Sequence, residues 1–237
     1  MSLFVLGSTG LVGGFVVQNA LKSKDWSKVI TLSRRKPQFA TTTPEAESRL
    51  DALVETDSSK WGSIIKDINP SPYAYISSFG TTRAAAGSAE KFKAIDYGIN
   101  YEAAKLAKDN GVKTLVLVSA IGANANSPFL YFKTKGQLED DIIALGFDHT
   151  IILRPGQLNG EREGKERNSE WPQKIANFIQ SIPGVASVLM SIEASDVGKI
   201  AVDFAERAQR GEVSEKVKIV GGGELRALAE KLKQQQK

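Results

Sequence analysis

Leu3-Phe4-Val5-Leu6-Gly7-Ser8-Thr9-Gly10-Leu11-Val12-Gly13 is the stretch on which the reading of this chain turns. Four consecutive apolar residues are too few for a helix core and fit a buried strand, and glycines at positions 7, 10 and 13 follow at once. From Leu11 onward apolar residues recur at four-residue spacing, Leu11 with Phe15 and Val12 with Val16 and Ala20, which predicts a helix that begins at the glycine turn. A helix start presents unpaired N–H groups and partial positive charge, and glycines let a phosphate come close to them. Gly7, Ser8, Thr9, Gly10, Leu11, Val12 and Gly13 therefore read as a cradle for the pyrophosphate of a dinucleotide. The G-x-x-G-x-x-G spacing is one residue longer between its first two glycines than the commonest fingerprint. A close-packed turn without ligand is the competing explanation.

A chain of 237 residues, 41% hydrophobic and 24% charged, fits one α/β domain with a sizeable core. The whole of 1–237 reads as a single dinucleotide-binding domain, with 156–190 and 211–237 adding a small substrate or lid region. The net charge of +4 is spread out. Its densest spots, Arg34-Arg35-Lys36 and the tail with Lys231, Lys233 and Lys237, are too thin for a nucleic-acid footprint. With no cysteine and His149 as the single histidine, neither a thiolate site nor a histidine cluster is possible, and no metal is expected. His149 precedes the apolar run Thr150-Ile151-Ile152-Leu153 and reads as a strand-entry residue. No run approaches the roughly 18 apolar residues that span a bilayer. With the first strand at Leu3 there is no room for a cleavable leader, so the expected location is intracellular, with any membrane association peripheral.

The second strand, 28–33, ends in Ser33-Arg34-Arg35. A dinucleotide fold selective for NAD places a carboxylate there, about 20 residues past the glycines, to bind the ribose hydroxyls. Guanidinium groups match a 2′-phosphate instead, so Arg34 and Arg35 predict NADP(H), unless they are merely surface arginines after a strand. Residues 38–48 read as a loop and 50–55 as a third strand. Asp57 after it fits either a bond to the adenine amino group or a helix N-cap. The fourth strand, 73–77, leads into Phe79-Gly80-Thr81-Thr82-Arg83, which should face the cofactor because ligands bind beyond the carboxyl ends of parallel strands. Gly80 permits a close backbone approach; Arg83 meets a phosphate or solvent. A helix over 95–110 and an all-apolar fifth strand, 114–119, complete the pattern of a doubly wound, mostly parallel Rossmann sheet with a small C-terminal lobe.

Beyond Ser119, Tyr131-Phe132-Lys133-Thr134-Lys135 opens a helix running to about 145. Tyr131 and Lys135, four apart, share one face, which Leu138, Ile142 and Leu145 continue inward. A lysine on an apolar face has a task or a partner, and Glu139, four residues on, is the plainest partner. A phenol with a pKa of about 10 exchanges protons poorly near neutrality, and a nearby ammonium favours its anion and lowers that value. Tyr131 then reads as the proton donor to a carbonyl, Lys135 as its activator and holder of the nicotinamide ribose, and a serine hydroxyl as the group that fixes the carbonyl oxygen.

These features resemble the atypical, extended-like short-chain dehydrogenase/reductases. Phe79-Gly80-Thr81-Thr82-Arg83, Phe129-Leu130-Tyr131 with Lys135-Gly136, and Leu153-Arg154-Pro155-Gly156 are most similar to the Tat-interacting oxidoreductase group and its fungal relatives found in mitochondrial proteomes. The likeness spans roughly 3–220. It implies NADPH, Tyr131 and Lys135 in the roles above, Arg34 and Arg35 at the 2′-phosphate, and, for the fungal members, a peripheral mitochondrial location on the outer membrane as an alternative to the cytoplasm. That group carries two consecutive serines at the fifth strand's end, whereas this chain has Ser119-Ala120. Ser119, Thr81 or a water then has to hold the carbonyl, and a non-catalytic NADPH-binding scaffold with a protein partner is the alternative to a carbonyl reductase. Further on, 156–170 reads as a long loop, 171–182 as a helix over the pocket, Ser195-Asp196 as the cap of a helix running to 210, 216–220 as a last strand and 224–233 as a final helix.

Overall fold

The computed structural model describes residues 1–38, 43–160 and 191–235. The stretch that opens the chain is strand β1 (Ser2–Leu6) followed by helix α1 (Leu11–Lys22). Then come β2 (Lys28–Ser33), a short α2 (Pro44–Ser48), β3 (Leu50–Val54), a 3-10 turn (Ser58–Lys60) running into α3 (Trp61–Lys66), and β4 (Ala74–Ser77). Two short helices, α4 (Arg83–Ala86) and α5 (Ala89–Lys93), precede a π-helical segment (Ala94–Ile99) and α6 (Asn100–Asp109). The rest comprises β5 (Thr114–Val118), α7 (Leu130–Ala144), β6 (His149–Leu153), β7 (Leu158–Asn159), β8 (Ile192–Glu193), α8 (Ala194–Gln209), β9 (Val217–Val220) and α9 (Gly222–Gln234).

The main sheet has seven strands in the order β3-β2-β1-β4-β5-β6-β9, every pairing parallel. Each face carries its own core. On one, Val5, Ile76, Val116 and Ile151 pack with Val16, Trp26 and Phe204; on the other, Phe4, Leu6, Leu115 and Ile152 pack with Trp61, Leu138 and Phe147. Burial on both faces is why β5 and β6 read as unbroken apolar runs. The strand order reverses between β1 and β4, and that switch point opens the crevice in which parallel sheets bind ligands.

Several expectations are corrected. The loop over 38–48 contains α2, which Thr43 caps by accepting from the Ala46 N–H with Pro44 pre-set at the first helical position. The single helix over 95–110 is a π segment followed by α6, a break to which a 3.6-residue pattern is blind. Ser195 and Asp196 do not cap α8, whose cap position is Glu193 with no side-chain bond; Asp196 lies in its first turn and pairs with Lys233 of α9 at 2.8 Å. Within 156–170, Leu158–Asn159 form β7, which pairs with β8. The expected helix at 171–182 lies outside the described residues.

Candidate active site

The glycine turn sits at the switch point. Gly7 has φ +88°, and a Cβ there would lie 2.6 Å from the Phe79 nitrogen at the end of β4. A Cβ on Gly13 would lie 2.0 Å from the Gly7 carbonyl oxygen, so the third glycine lets α1 press against the turn. Gly10 differs: its N–H closes the turn on the Gly7 oxygen at 2.8 Å, and a Cβ there would meet only that oxygen, at 3.1 Å. Turn, approach and packing are thus divided among the three glycines as in dinucleotide folds. No side chain caps the start of α1, its first turn holds no acid, and the Ser8 hydroxyl is buried without a partner. Val12 is a core residue and Leu11 packs against the same core, so only their backbones face the turn. Thr9 is half-buried beside them. The residues present fit a pyrophosphate.

Arg34 and Arg35 are exposed just past β2, in a turn held by the Ser33 hydroxyl donating to the Arg35 carbonyl at 2.7 Å. Asp57 is engaged as a cap: its Oδ1 accepts from the Ser59 N–H at 3.0 Å and the Ser59 hydroxyl at 2.7 Å, and these bonds hold its carboxyl below the usual range. Phe79 lies edge-on to Trp61, and Arg83 opens α4, exposed. His149 enters β6, its Nδ1 2.9 Å from the Glu215 carbonyl.

Tyr131 and Lys135 lie on the first turns of α7, facing inward. Tyr131 packs between Phe92 of α5, at 6.1 Å between ring centres, and Phe132. Lys135 is buried, and its partner is not Glu139. Its Nζ lies 2.9 Å from Oδ1 of Asp96 on the π segment, while Glu139 is bound by the Arg154 guanidinium at the end of β6. Burial opposes the Lys135 charge, but Asp96, Tyr131 and Glu139 together hold its pKa above the ordinary lysine value. The expected acidification of Tyr131 is corrected as well: burial raises the phenol by more than Lys135 lowers it, and Asp96, the weakest of the three influences, raises it a little further. Asp96, fully buried, is the residue the sequence reading lacked. Its signal was present, since Asp96 and Asn100 precede Ala103 and Ala107 on the inward stripe of α6.

Ser119, directly after β5, is buried with an unpartnered hydroxyl, and its N–H bonds the Leu153 carbonyl at 2.8 Å. Ala120 beside it is buried too. Ser119 thus follows β5 with a hydroxyl that has no hydrogen-bond partner among the described residues, while the phenol and the paired ammonium stand on α7, and among the described residues no group of acids and histidines is suited to a metal.

The family model described as HIM1 matches residues 65–184, about half of the chain. The chain is 58% identical to "Protein FMP52, mitochondrial" of Lodderomyces elongisporus, over 98% of each, and 55% identical to the protein of that name in Candida albicans, over 98% of this chain and 100% of that protein. Among solved structures, a putative NAD-dependent epimerase/dehydratase from Bacillus halodurans superposes with TM-score 0.66 at 21% identity, covering 98% of this chain and 99% of that one. A dTDP-glucose 4,6-dehydratase double mutant from Streptomyces venezuelae with NAD bound gives TM-score 0.65 at 17% identity, over 98% and 80%. At these identities the solved structures share the Rossmann fold with this chain.

Proposed function

The chain belongs to the FMP52 family, and we propose that it is an NADPH-dependent oxidoreductase of the short-chain dehydrogenase/reductase type, acting on a small or lipophilic carbonyl compound. The observation that carries this reading is the pair Tyr131 and buried Lys135 on one helix, with Lys135 beside Gly80 in the loop after β4, in a fold whose glycine turn fits a pyrophosphate. In the proposed site the turn from Gly7 to Gly13 holds the pyrophosphate through the backbone N–H groups that open α1, and Arg34 and Arg35 pair with a 2′-phosphate, for which a guanidinium fork suits in charge and shape. Phe79, Gly80 and Thr81 border the cofactor from β4.

When bound, the dinucleotide supplies a hydride. Tyr131 supplies the proton: its phenol, protonated near neutrality, gives that proton to the carbonyl oxygen as negative charge develops there. The Lys135 ammonium one turn away stabilises the phenolate left behind. Ser119 donates to the same oxygen through a hydroxyl that has no other partner.

Loss of NADPH absorbance with a panel of aldehydes and ketones tests the proposal. Turnover that Tyr131→Phe abolishes is expected; full turnover by that variant overturns the mechanism. Ala120 favours a second reading, a scaffold that binds NADPH without turnover and captures a protein partner in a cofactor-dependent way. The relatives' names support a mitochondrial location, and no helix among the described residues is long and apolar enough to cross a membrane.

A further inference from the structure

The Asp96 carboxylate is engaged from two separate elements. Its Oδ1 meets Lys135 Nζ at 2.9 Å and its Oδ2 accepts the Thr81 N–H at 2.6 Å, so one carboxylate ties the loop after β4 to the helix that carries Tyr131. The π segment that presents it is itself anchored. Asn100 donates to the carbonyls of Asp96, at 3.0 Å, and Phe79, at 3.2 Å, and accepts from the Ser77 hydroxyl at 2.6 Å. Gly80 leaves room for the pair, since a Cβ there would stand 3.1 Å from Asp96 Oδ1 and 3.5 Å from Lys135 Nζ.

Cohesion does not account for this arrangement. Removing two charges from water costs several kcal/mol per ion, and apolar residues of similar volume usually serve a core as well or better. The groups facing Lys135 are Asp96 from the π segment and Tyr131 and Glu139 from its own helix, and Glu139 is matched by Arg154 from β6. That leaves Asp96 as the carboxylate whose charge Lys135 answers.

We infer that Asp96 is a positioning residue for the reacting pair: it fixes the Lys135 ammonium beside Gly80, between the loop after β4 and the helix that carries Tyr131. This rests on the reading of Tyr131 and Lys135 as that pair. With the Asp96 charge gone, Lys135 loses its counter-charge and the phenol titrates at lower pH.

The test follows the Tyr131 phenol by NMR in the full chain labelled with 13C at tyrosine Cζ, its signal among five tyrosines identified by its loss in Tyr131→Phe. Asp96→Asn should lower the Tyr131 midpoint by about one pH unit, the size of effect that a neighbouring charge exerts. Asp96→Glu, which keeps the charge, should restore at least half of that shift. A midpoint unmoved in folded Asp96→Asn overturns the inference. Should Asp96→Asn fail to fold, 15N-lysine spectra of the unaltered chain decide: a Lys135 ammonium exchanging its protons slowly at neutral pH supports the pairing, and one exchanging as fast as the surface lysines overturns it. Neither readout needs substrate. Absence of carbonyl turnover would sink the reductase reading and leave the Asp96 result standing.

Discussion

Gly13 and Gly14 are neighbours in α1 with opposite demands, which makes alanine at each a sharp test of the glycine turn. A Cβ on Gly13 would stand 2.0 Å from the Gly7 oxygen, 2.6 Å from its carbon and 2.7 Å from Ser78 Oγ, two of them backbone atoms that cannot rotate aside. Restoring a contact of 3.4 Å requires the turn and helix to part by about 1.4 Å. Overpacking of this kind costs about 1–3 kcal/mol, and a rigid carbonyl in the way puts it at the upper end. Gly13 is the third residue of α1, where alanine returns up to about 1 kcal/mol of helix propensity, so Gly13→Ala should lose about 2 kcal/mol. At Gly14 the nearest atom to the new methyl is the Ser8 oxygen at 3.9 Å, and only the helix gain of up to about 1 kcal/mol remains. The two variants should therefore differ by about 3 kcal/mol. At a urea m-value of about 2–3 kcal/mol/M, that separates their unfolding midpoints by more than about 1 M. Equal midpoints, or a Gly13→Ala chain as stable as the parent, would refute the packing argument. NADPH titration of Gly13→Ala should also show weakened binding, because the displaced turn carries the proposed pyrophosphate site.

Arg34→Ala with Arg35→Ala should weaken NADPH at least tenfold in fluorescence titration and leave NADH and the melting temperature unchanged, since two charge-assisted phosphate contacts are lost from an exposed turn. Ser119→Ala should lower carbonyl turnover by about 100-fold with little change in stability, the loss typical of one donor to a developing oxyanion. Arg49 holds the end of α1 and the turn after it by donating to the carbonyls of Leu21, Ser23 at 2.7 Å and Trp26 at 2.8 Å. Arg49→Ala should cost about 2–3 kcal/mol in urea unfolding, and Arg49→Lys should not restore it, because a point charge cannot span three acceptors. Stability should fall as the pH rises above about 10. Tyr97, pushed up to about 12 by its bond to Asp141, and Tyr131 and Lys135, also raised, keep their protons in the folded chain after the unfolded one has lost them, so their contribution is complete below the unfolded values and vanishes as pH passes the folded ones. A melting temperature flat between pH 9 and 11.5 would contradict this.

The sequence carried most of the sheet because central parallel strands are covered on both faces. The apolar, β-branched run at 28–33 coincides with β2 to the residue, and the four-residue repeat from Leu11 places α1 correctly. What it did not carry depends on distance along the chain. β7 and β8 are two residues each and exist through a pairing across more than thirty residues, which no local pattern encodes. The π segment needs a register change inside one helix, caused by where Asp96 and Asn100 must reach. Lys135 was legible as a buried charge, and Glu139 was the natural choice of partner because spacing of four is all a sequence displays. Its true partner lies 39 positions upstream, and Glu139 is claimed by Arg154 from the next strand. The sign of the Tyr131 shift was illegible for the same reason: it depends on tertiary surroundings and on Asp96, 35 positions upstream.

The distribution of charge along α7 argues for chemistry over cohesion. Leu138 and Ile142, where the helix lies along the sheet, are buried in the core with Phe147 and Ile152. On the same helix Lys135 and Glu139 are buried as well, each matched by an opposite charge from a separate element, Asp96 and Arg154. Both matching groups come from the side of the sheet where its strands end, Arg154 directly after β6 and Asp96 bonded to the loop after β4. A helix needing only to adhere would continue its hydrocarbon stripe there, since burying Asp96, Lys135 and Glu139 opposes folding unless each is matched. This one changes from hydrocarbon to matched ions where a ligand of the parallel sheet would lie. Tyr131 precedes that series on the same helix, and in the proposed reaction it gives up a proton while the Asp96 and Lys135 charges stay buried.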